Sequence, residues 1–110
     1  MVERKMIEYK DNKILIVTLF GFYNYNEFEE VERILKDEIN ATLLDFSSGW
    51  EASRGYSIKD GIKLEWKFSN WDCIQLNYHN PKDEVSIKKV QEWANIIFNN
   101  LINKFGNVSD

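Results

Sequence analysis

The side chains best suited to nucleophilic or acid–base chemistry in this sequence are its single cysteine, Cys73, and its single histidine, His79. An imidazole activates a thiol only within hydrogen-bond reach. Both residues fall on one run of alternating apolar and polar residues, which predicts a β-strand. Six strand residues at roughly 3.3 Å each put the two backbones about 20 Å apart, which excludes a dyad. We interpret Cys73 as a small strand residue and His79 as a partly exposed polar residue.

Other catalytic and cofactor motifs are missing from the sequence. One cysteine cannot form an intrachain disulfide, and one Cys with one His cannot build a Cys/His metal cluster. Gly49, Gly55 and Gly61 match neither a Walker motif nor a dinucleotide-binding motif. Neighbouring carboxylates such as Glu29 and Glu30 are expected on exposed helical turns and not in a pocket. The sequence therefore predicts no catalytic residue, no metal and no cofactor.

The elements that position these side chains centre on a β-hairpin predicted over residues 62–79. Its apolar faces are Ile62, Leu64, Trp66 and Phe68 in the first strand and Ile74, Leu76 and Tyr78 in the second. Like faces meet only if residues 70–72 form the turn, because a two-residue turn would oppose apolar to polar residues. This register pairs Trp66 with Leu76 on the apolar face. On the polar face it pairs Glu65 with Asn77.

Periodicity and turn residues predict the other elements. They are strands over 3–9 and 13–20, a helix over 26–40 with a capping box at Asn26 and Glu29, a strand over 42–46, a loop over 47–61 and a helix over 83–105. A two-residue turn at Asp11 and Asn12 would set Tyr9 opposite Ile14. Residues 107–110 are expected to fray.

The order β-β-α-β-β-β-α is typical of an α+β fold. We predict a single domain over residues 1–110, with a mostly antiparallel five-stranded sheet and both helices packed on one face. The content of 44% hydrophobic and 29% charged residues is that of an ordinary globular domain. No apolar run reaches the roughly 20 residues of a membrane span, and no signal-peptide core is present, so a cytoplasmic protein without membrane contact is expected.

The net charge of -4 is concentrated in the predicted first helix. Between Glu27 and Glu38, six acids stand against two bases, and their net charge equals that of the whole chain. A charged outer face is ordinary for a helix, but here the acids outnumber the bases available for stabilising i,i+4 pairs. A single-signed patch steers a basic protein into encounter and disfavours direct nucleic-acid binding. The candidate contact residues are Glu27, Glu30, Asp37 and Glu38.

The predicted loop over residues 47–61 is the second candidate surface. Loops of this length in compact domains tend to be functional, and Trp50, Arg54 and Tyr56 are residue types that are enriched at interface hot spots. The alternative is that Trp50 and Tyr56 cover the open face of the sheet over Leu15 and its apolar neighbours. Both interpretations stay open at this point.

A small, acidic α+β domain with 15% aromatic residues and no catalytic groups resembles the immunity proteins that bacteria make against toxins of contact-dependent inhibition and related polymorphic toxin systems. The resemblance lies in size, charge and architecture over the whole chain. It implies a non-enzymatic inhibitor, a monomer or weak homodimer. Such a protein binds one cognate toxin, often a basic nuclease, and covers its active site.

Two other classes of function remain open from the sequence. One is a small enzyme or ligand-binding domain, which a deep polar pocket containing His79 and a carboxylate would favour. The other is a structural or homodimeric module, which a symmetric dimer with a buried Trp93 would favour.

Overall fold

Alternating apolar and polar residues make strands the dominant element of this chain. The computed structural model describes residues 2–48, 53–69 and 73–109. The strands are β1 (Val2–Glu3), β2 (Lys5–Lys10), β3 (Ile14–Phe20), β4 (Thr42–Ser48), β5 (Ser53–Lys59), β6 (Ile62–Ser69), β7 (Cys73–His79) and β8 (Val108–Ser109). The helices are α1 (Tyr25–Arg33), continued by a π-helical turn over Ile34–Glu38, and α2 (Glu84–Phe105).

The predicted α+β class is confirmed, but the number of strands is corrected. Within the described residues, the main sheet has six antiparallel strands in the order β2-β3-β7-β6-β5-β4, where five were predicted. The missed strand is β5, which occupies residues that the sequence predicted as a loop. It pairs with β4 on one side and with β6 on the other. The part of the predicted loop at residues 49–52 lies outside the described residues.

The register of the central hairpin is confirmed. Trp66 lies opposite Leu76, and Ser69 lies opposite Cys73, so three residues connect β6 to β7. Glu65 lies opposite Asn77 on the other face, as predicted. Face matching was sufficient here because a slip of one residue would move every side chain to the wrong face.

The register of the β2–β3 hairpin differs from the prediction. Tyr9 lies opposite Ile16, not Ile14. The Asp11 carboxylate accepts the backbone N–H groups of Lys13 and Ile14 at 2.8 and 3.0 Å. This side-chain turn makes Asn12 and Lys13 the two turn residues. The slip of two residues keeps every side chain on its predicted face.

Both helices cover the same face of the sheet, as predicted. The Phe28 ring of α1 lies 5.1 Å from the Trp66 ring, between centroids, and α2 contributes to the same buried cluster. Apolar residues that recur at helical spacing form the buried stripe of each helix. These residues are Phe28, Val31, Ile34, Leu35 and Ile39 in the first helical segment and Ile87, Val90, Ala94, Ile97 and Leu101 in α2. Leu15, Val17 and Leu19 of β3 lie in this cluster too. The helices cover these three residues, and Tyr56 lies on the other face of the sheet. The alternative in which Tyr56 covers them is therefore wrong.

The short strands β1 and β8 pair with each other in an antiparallel arrangement. Val2 pairs with Ser109, and Glu3 pairs with Val108, so the fraying predicted for the tail is wrong at residues 108–109. The backbone N–H of Arg4 donates to the Asn107 carbonyl at 3.0 Å. Asp110 lies outside the described residues. The pairing of the termini brings Arg4 to the end of α2.

Candidate functional site

Glu27, a predicted partner contact, is instead part of the fold. Its side chain is 1% exposed and forms an ion pair with Arg4. The same carboxylate accepts the backbone N–H groups of Tyr23 and Asn24 at 3.1 and 3.0 Å, which caps α1 two residues earlier than predicted. The prediction of an exposed acid at Glu27 is therefore wrong.

Glu30 is likewise buried, with 6% of the residue exposed. Its carboxylate accepts hydrogen bonds from Arg33 of the same helix and from the Lys104 ammonium of α2, the latter at 2.6 Å. Burial alone would raise the pKa of Glu30, but the hydrogen bonds from Lys104 and Arg33 outweigh it and lower that pKa. Glu30 therefore joins α1 to the end of α2, and the prediction that it is exposed is also wrong.

Asp37 and Glu38 are exposed, as predicted, and lie in the π-helical turn. Neither forms an ion pair with any described residue. Glu29 is exposed on α1, and Glu32 is half-buried there. We call Glu29, Glu32, Asp37 and Glu38 the acidic surface. It is smaller than predicted because Glu27 and Glu30 are neutralised inside the fold.

An open cleft of about 420 Å³ lies between α1 and the end of α2. Its lining is Asn26, Glu29, Glu30, Arg33, Lys104 and Phe105. Glu29 connects this cleft with the acidic surface. The cleft therefore extends the acidic surface with a concave region of mixed charge.

Arg54 and Tyr56, the other predicted contacts, lie in β5 on the face of the sheet opposite the helices, which we call the open face. The register places Tyr56 opposite Glu65 and Arg54 opposite Lys67. The predicted surface is therefore divided, with its acids in the helical layer and Arg54 and Tyr56 across the sheet. Trp50 lies outside the described residues.

At the centre of the open face, Glu65 is a buried carboxylate with 8% of the residue exposed. The Tyr56 hydroxyl donates to Glu65 Oε2 at 3.0 Å, and Asn77 Nδ2 donates to Oε1 at 2.9 Å. His79 Nε2 lies 3.4 Å from Oε1, and Arg54 Nε lies 3.7 Å from Oε2. We call Arg54, Tyr56, Glu65, Lys67, Asn77 and His79 the open-face cluster.

The carboxylate of this cluster is held in its charged form. Burial would raise the pKa of Glu65, but hydrogen bonds from Asn77, Tyr56 and His79, together with the charge of Lys67, lower it. The Lys63 ammonium lies 4.7 Å from the centroid of the Tyr56 ring. The described ionic side chains around this carboxylate are thus three cations, Arg54, Lys63 and Lys67, and the strand register also sets Asp45 of β4 opposite Tyr56.

Only half of this cluster could be anticipated from the sequence. The hairpin register placed Glu65 opposite Asn77. The contribution of β5 was missed, since its residues were assigned to a loop. Alternating Arg54, Tyr56 and Ile58 is the period-two signal that could have revealed the strand.

Cys73 and His79 occupy opposite ends of β7, as predicted, so the strand separates them. Cys73 is buried, and His79 is exposed. Within residues 2–48, 53–69 and 73–109, no group of three or more His, Cys, Asp or Glu side chains is arranged to hold a metal ion. No helix in these ranges combines the length and apolarity needed to cross a bilayer.

Neither protein-family models nor curated protein sequences match this chain.

The open-face cluster predicts a specific pH dependence of stability. Because the fold lowers the pKa of Glu65 below its ordinary 4.5, its contribution is complete above that value and is lost as the pH falls through the lower folded pKa. In urea denaturation, the loss of stability caused by Glu65→Gln should be largest near about pH 7 and should shrink towards about pH 3. An equal loss at both pH values would contradict this interpretation, and Glu92→Gln on α2 is the matched control.

Proposed function

We propose that this chain is a non-enzymatic inhibitor that binds a basic protein toxin, as an immunity protein does, and covers its active site. The toxin would meet the acidic surface around Asp37 and Glu38. The partner-binding residues are these two acids with Glu29 and Glu32, and Glu27 and Glu30 serve the fold instead.

The observation that carries this proposal is the unequal use of the acids in the first helical segment. Glu27 is neutralised by Arg4, and Glu30 by Arg33 and Lys104. Asp37 and Glu38 remain exposed without an ion pair among the described residues. Exposed acids that do not serve the fold remain available to steer a basic partner into encounter.

The cleft between α1 and α2 borders the acidic surface through Glu29. Arg33 and Lys104 also line it and already neutralise Glu30, so the cleft itself carries no excess of negative charge. The contact with a basic toxin is therefore placed on the exposed acids.

The proposal is tested with a toxin domain encoded beside this gene as the binding partner. The double variant Asp37→Asn, Glu38→Gln should weaken binding by roughly 0.2–1 kcal/mol per lost exposed pair, mainly through slower association. The effect should fade at high salt, because exposed charges are screened. Association rates measured at low and physiological ionic strength check both statements.

Glu92→Lys is the matched control, since it raises the net charge by the same amount at an exposed position on α2. It should leave the association rate close to that of the unmodified protein. The proposal fails if both variants bind alike, or if no neighbouring toxin domain binds at all.

Two other classes of function were left open by the sequence, a homodimeric module and a small enzyme or ligand-binding domain. Trp93 is only 8% exposed within a single chain, so its burial needs no second copy. The burial of Trp93 therefore gives no support to a dimer. The ligand-binding class gains one observation, because His79 lies beside a buried carboxylate, Glu65.

A further inference from the structure

The open-face cluster departs twice from the arrangement that would best stabilise a sheet. Arg54 and Lys67 lie directly opposite each other on neighbouring strands. Like charges at opposed positions destabilise a sheet. Arg54 is 55% exposed, and its only close charged contact among the described residues is Glu65, with the nearer atoms 3.7 Å apart. Within residues 2–48, 53–69 and 73–109, no hydrogen bond or ion pair involves its terminal guanidinium nitrogens.

The second departure is at Asn77, which is 3% exposed. Its Nδ2 donates to Glu65, but its Oδ1 is buried and accepts no hydrogen bond from any described residue. A buried polar atom without a partner costs roughly 1–3 kcal/mol. Local rules broken together at one place are typical of a functional site. An anion offers no hydrogen-bond donor to Asn77 Oδ1, so this atom takes no part in the ligand contact.

We propose that the open-face cluster binds an oxyanion, a phosphate or carboxylate group, between Arg54 and Lys67. The Arg54 fork donates two hydrogen bonds to such a group, and the Lys67 ammonium adds charge. Lys63 increases the positive potential on the same face. Glu65 is the positioning residue. Its carboxylate accepts hydrogen bonds from Tyr56 and Asn77, and its Oε2 lies 3.7 Å from Arg54 Nε.

The chemistry of the Arg54–Lys67 pair decides which ligand fits. Both side chains donate hydrogen bonds and neither can accept one, so together they suit an oxyanion and not a cation. The other described ionic groups beside them are Lys63 and Glu65, and the strand register sets Asp45 of β4 opposite Tyr56 on the same face.

The test uses the purified full chain, with inorganic phosphate and acetate as probes and sodium chloride at equal ionic strength as the reference. Saturable amide chemical-shift changes at Tyr56, Lys67 and Asn77 are expected with phosphate, acetate or both, and comparing the two identifies the group. Arg54→Ala should raise Kd by roughly tenfold or more, because a charge-assisted hydrogen bond is lost. Lys88→Ala removes an exposed cation from α2 and should leave Kd unchanged.

A stability measurement separates binding from a structural role. Lys67→Gln removes one of two opposed like charges, so it should weaken anion binding while the urea midpoint stays the same or rises. The proposal is overturned if neither probe gives saturable shifts beyond those of chloride, or if Arg54→Ala and Lys88→Ala bind alike. It is independent of the toxin-binding proposal, whose residues lie in the helical layer.

Discussion

Replacing Arg4 with methionine is expected to lower the free energy of unfolding by about 3–5 kcal/mol, the range for breaking a buried ion pair. The guanidinium of Arg4 donates to the carbonyl of Gly21 at 3.1 Å and to those of Phe105 and Gly106 at 2.8 and 2.9 Å. It also pairs with Glu27. Methionine replaces the aliphatic part of the side chain but donates nothing, so three carbonyls lose a donor and the buried Glu27 carboxylate loses its cation and keeps only two backbone N–H donors.

The effect should be large because Arg4 holds four parts of the chain together. It joins the β1–β2 junction to the end of β3, the start of α1 and the end of α2. Its guanidinium also lies 4.6 Å from the centroid of the Phe22 ring, which covers one side of it. No other described side chain donates to Glu27, so no alternative partner can compensate the loss.

Urea denaturation measures the change, and Arg33→Met is its matched control. Arg33 also pairs with a buried acid, Glu30, but its own side chain is 44% exposed and Lys104 remains as a second partner. The control should therefore lose much less stability than Arg4→Met. Adding Glu27→Gln to Arg4→Met should recover part of the loss, because the unpaired charge disappears. Similar losses for both arginines, or no recovery, would contradict the assigned role.

Ion pairs between distant residues explain why two buried acids were predicted to be exposed. Glu27 and Glu30 were grouped with their neighbours because all are acids on one helix. Arg4, which pairs with Glu27, is 23 residues away along the chain, and Lys104, which joins Arg33 at Glu30, is 74 residues away. Periodicity within a helix cannot detect partners at such separations. It identified the apolar stripe correctly, because that stripe depends on local spacing alone.

The two hairpins also differ in how far their register could be predicted from hydrophobic periodicity. The β6–β7 register followed from the sequence, because a slip of one residue would have exchanged buried and exposed faces. The β2–β3 register did not, because a slip of two residues preserves the faces. The choice there was made by the Asp11 carboxylate, which accepts two backbone N–H groups in the turn. Turn chemistry of this kind is local but is not visible in hydrophobic alternation.

The open-face cluster was only half predictable because its other half depends on recognising β5. Gly55 lies in the middle of that strand, and glycine inside a strand usually weakens it. Together with Gly49 and Gly61 it favoured a loop. The structure gives a different reason for the glycine. Gly55 lies opposite Trp66, and an added Cβ would overlap the Trp66 ring.

Gly55→Ala is therefore expected to destabilise the protein by about 3 kcal/mol, at the upper end of the range for overpacking a core. Trp66 cannot move aside easily, since it is fully buried and its ring packs 5.1 Å from that of Phe28. Without the ring, alanine should be the better strand residue, because glycine loses more backbone entropy on folding. The sign of the effect thus depends on Trp66.

A double-mutant cycle tests this dependence. Trp66→Leu alone should be destabilising, because it empties part of the core. In that background, Gly55→Ala should cost little or become stabilising, so the two changes are strongly coupled. Gly61→Ala is the control for backbone strain alone, since its Cβ would meet nothing within 4 Å and its positive φ of 76° costs about 1–2 kcal/mol whether or not Trp66 is present. If Gly55→Ala costs the same with and without Trp66, glycine is required there for its backbone and not for the space taken by the indole ring.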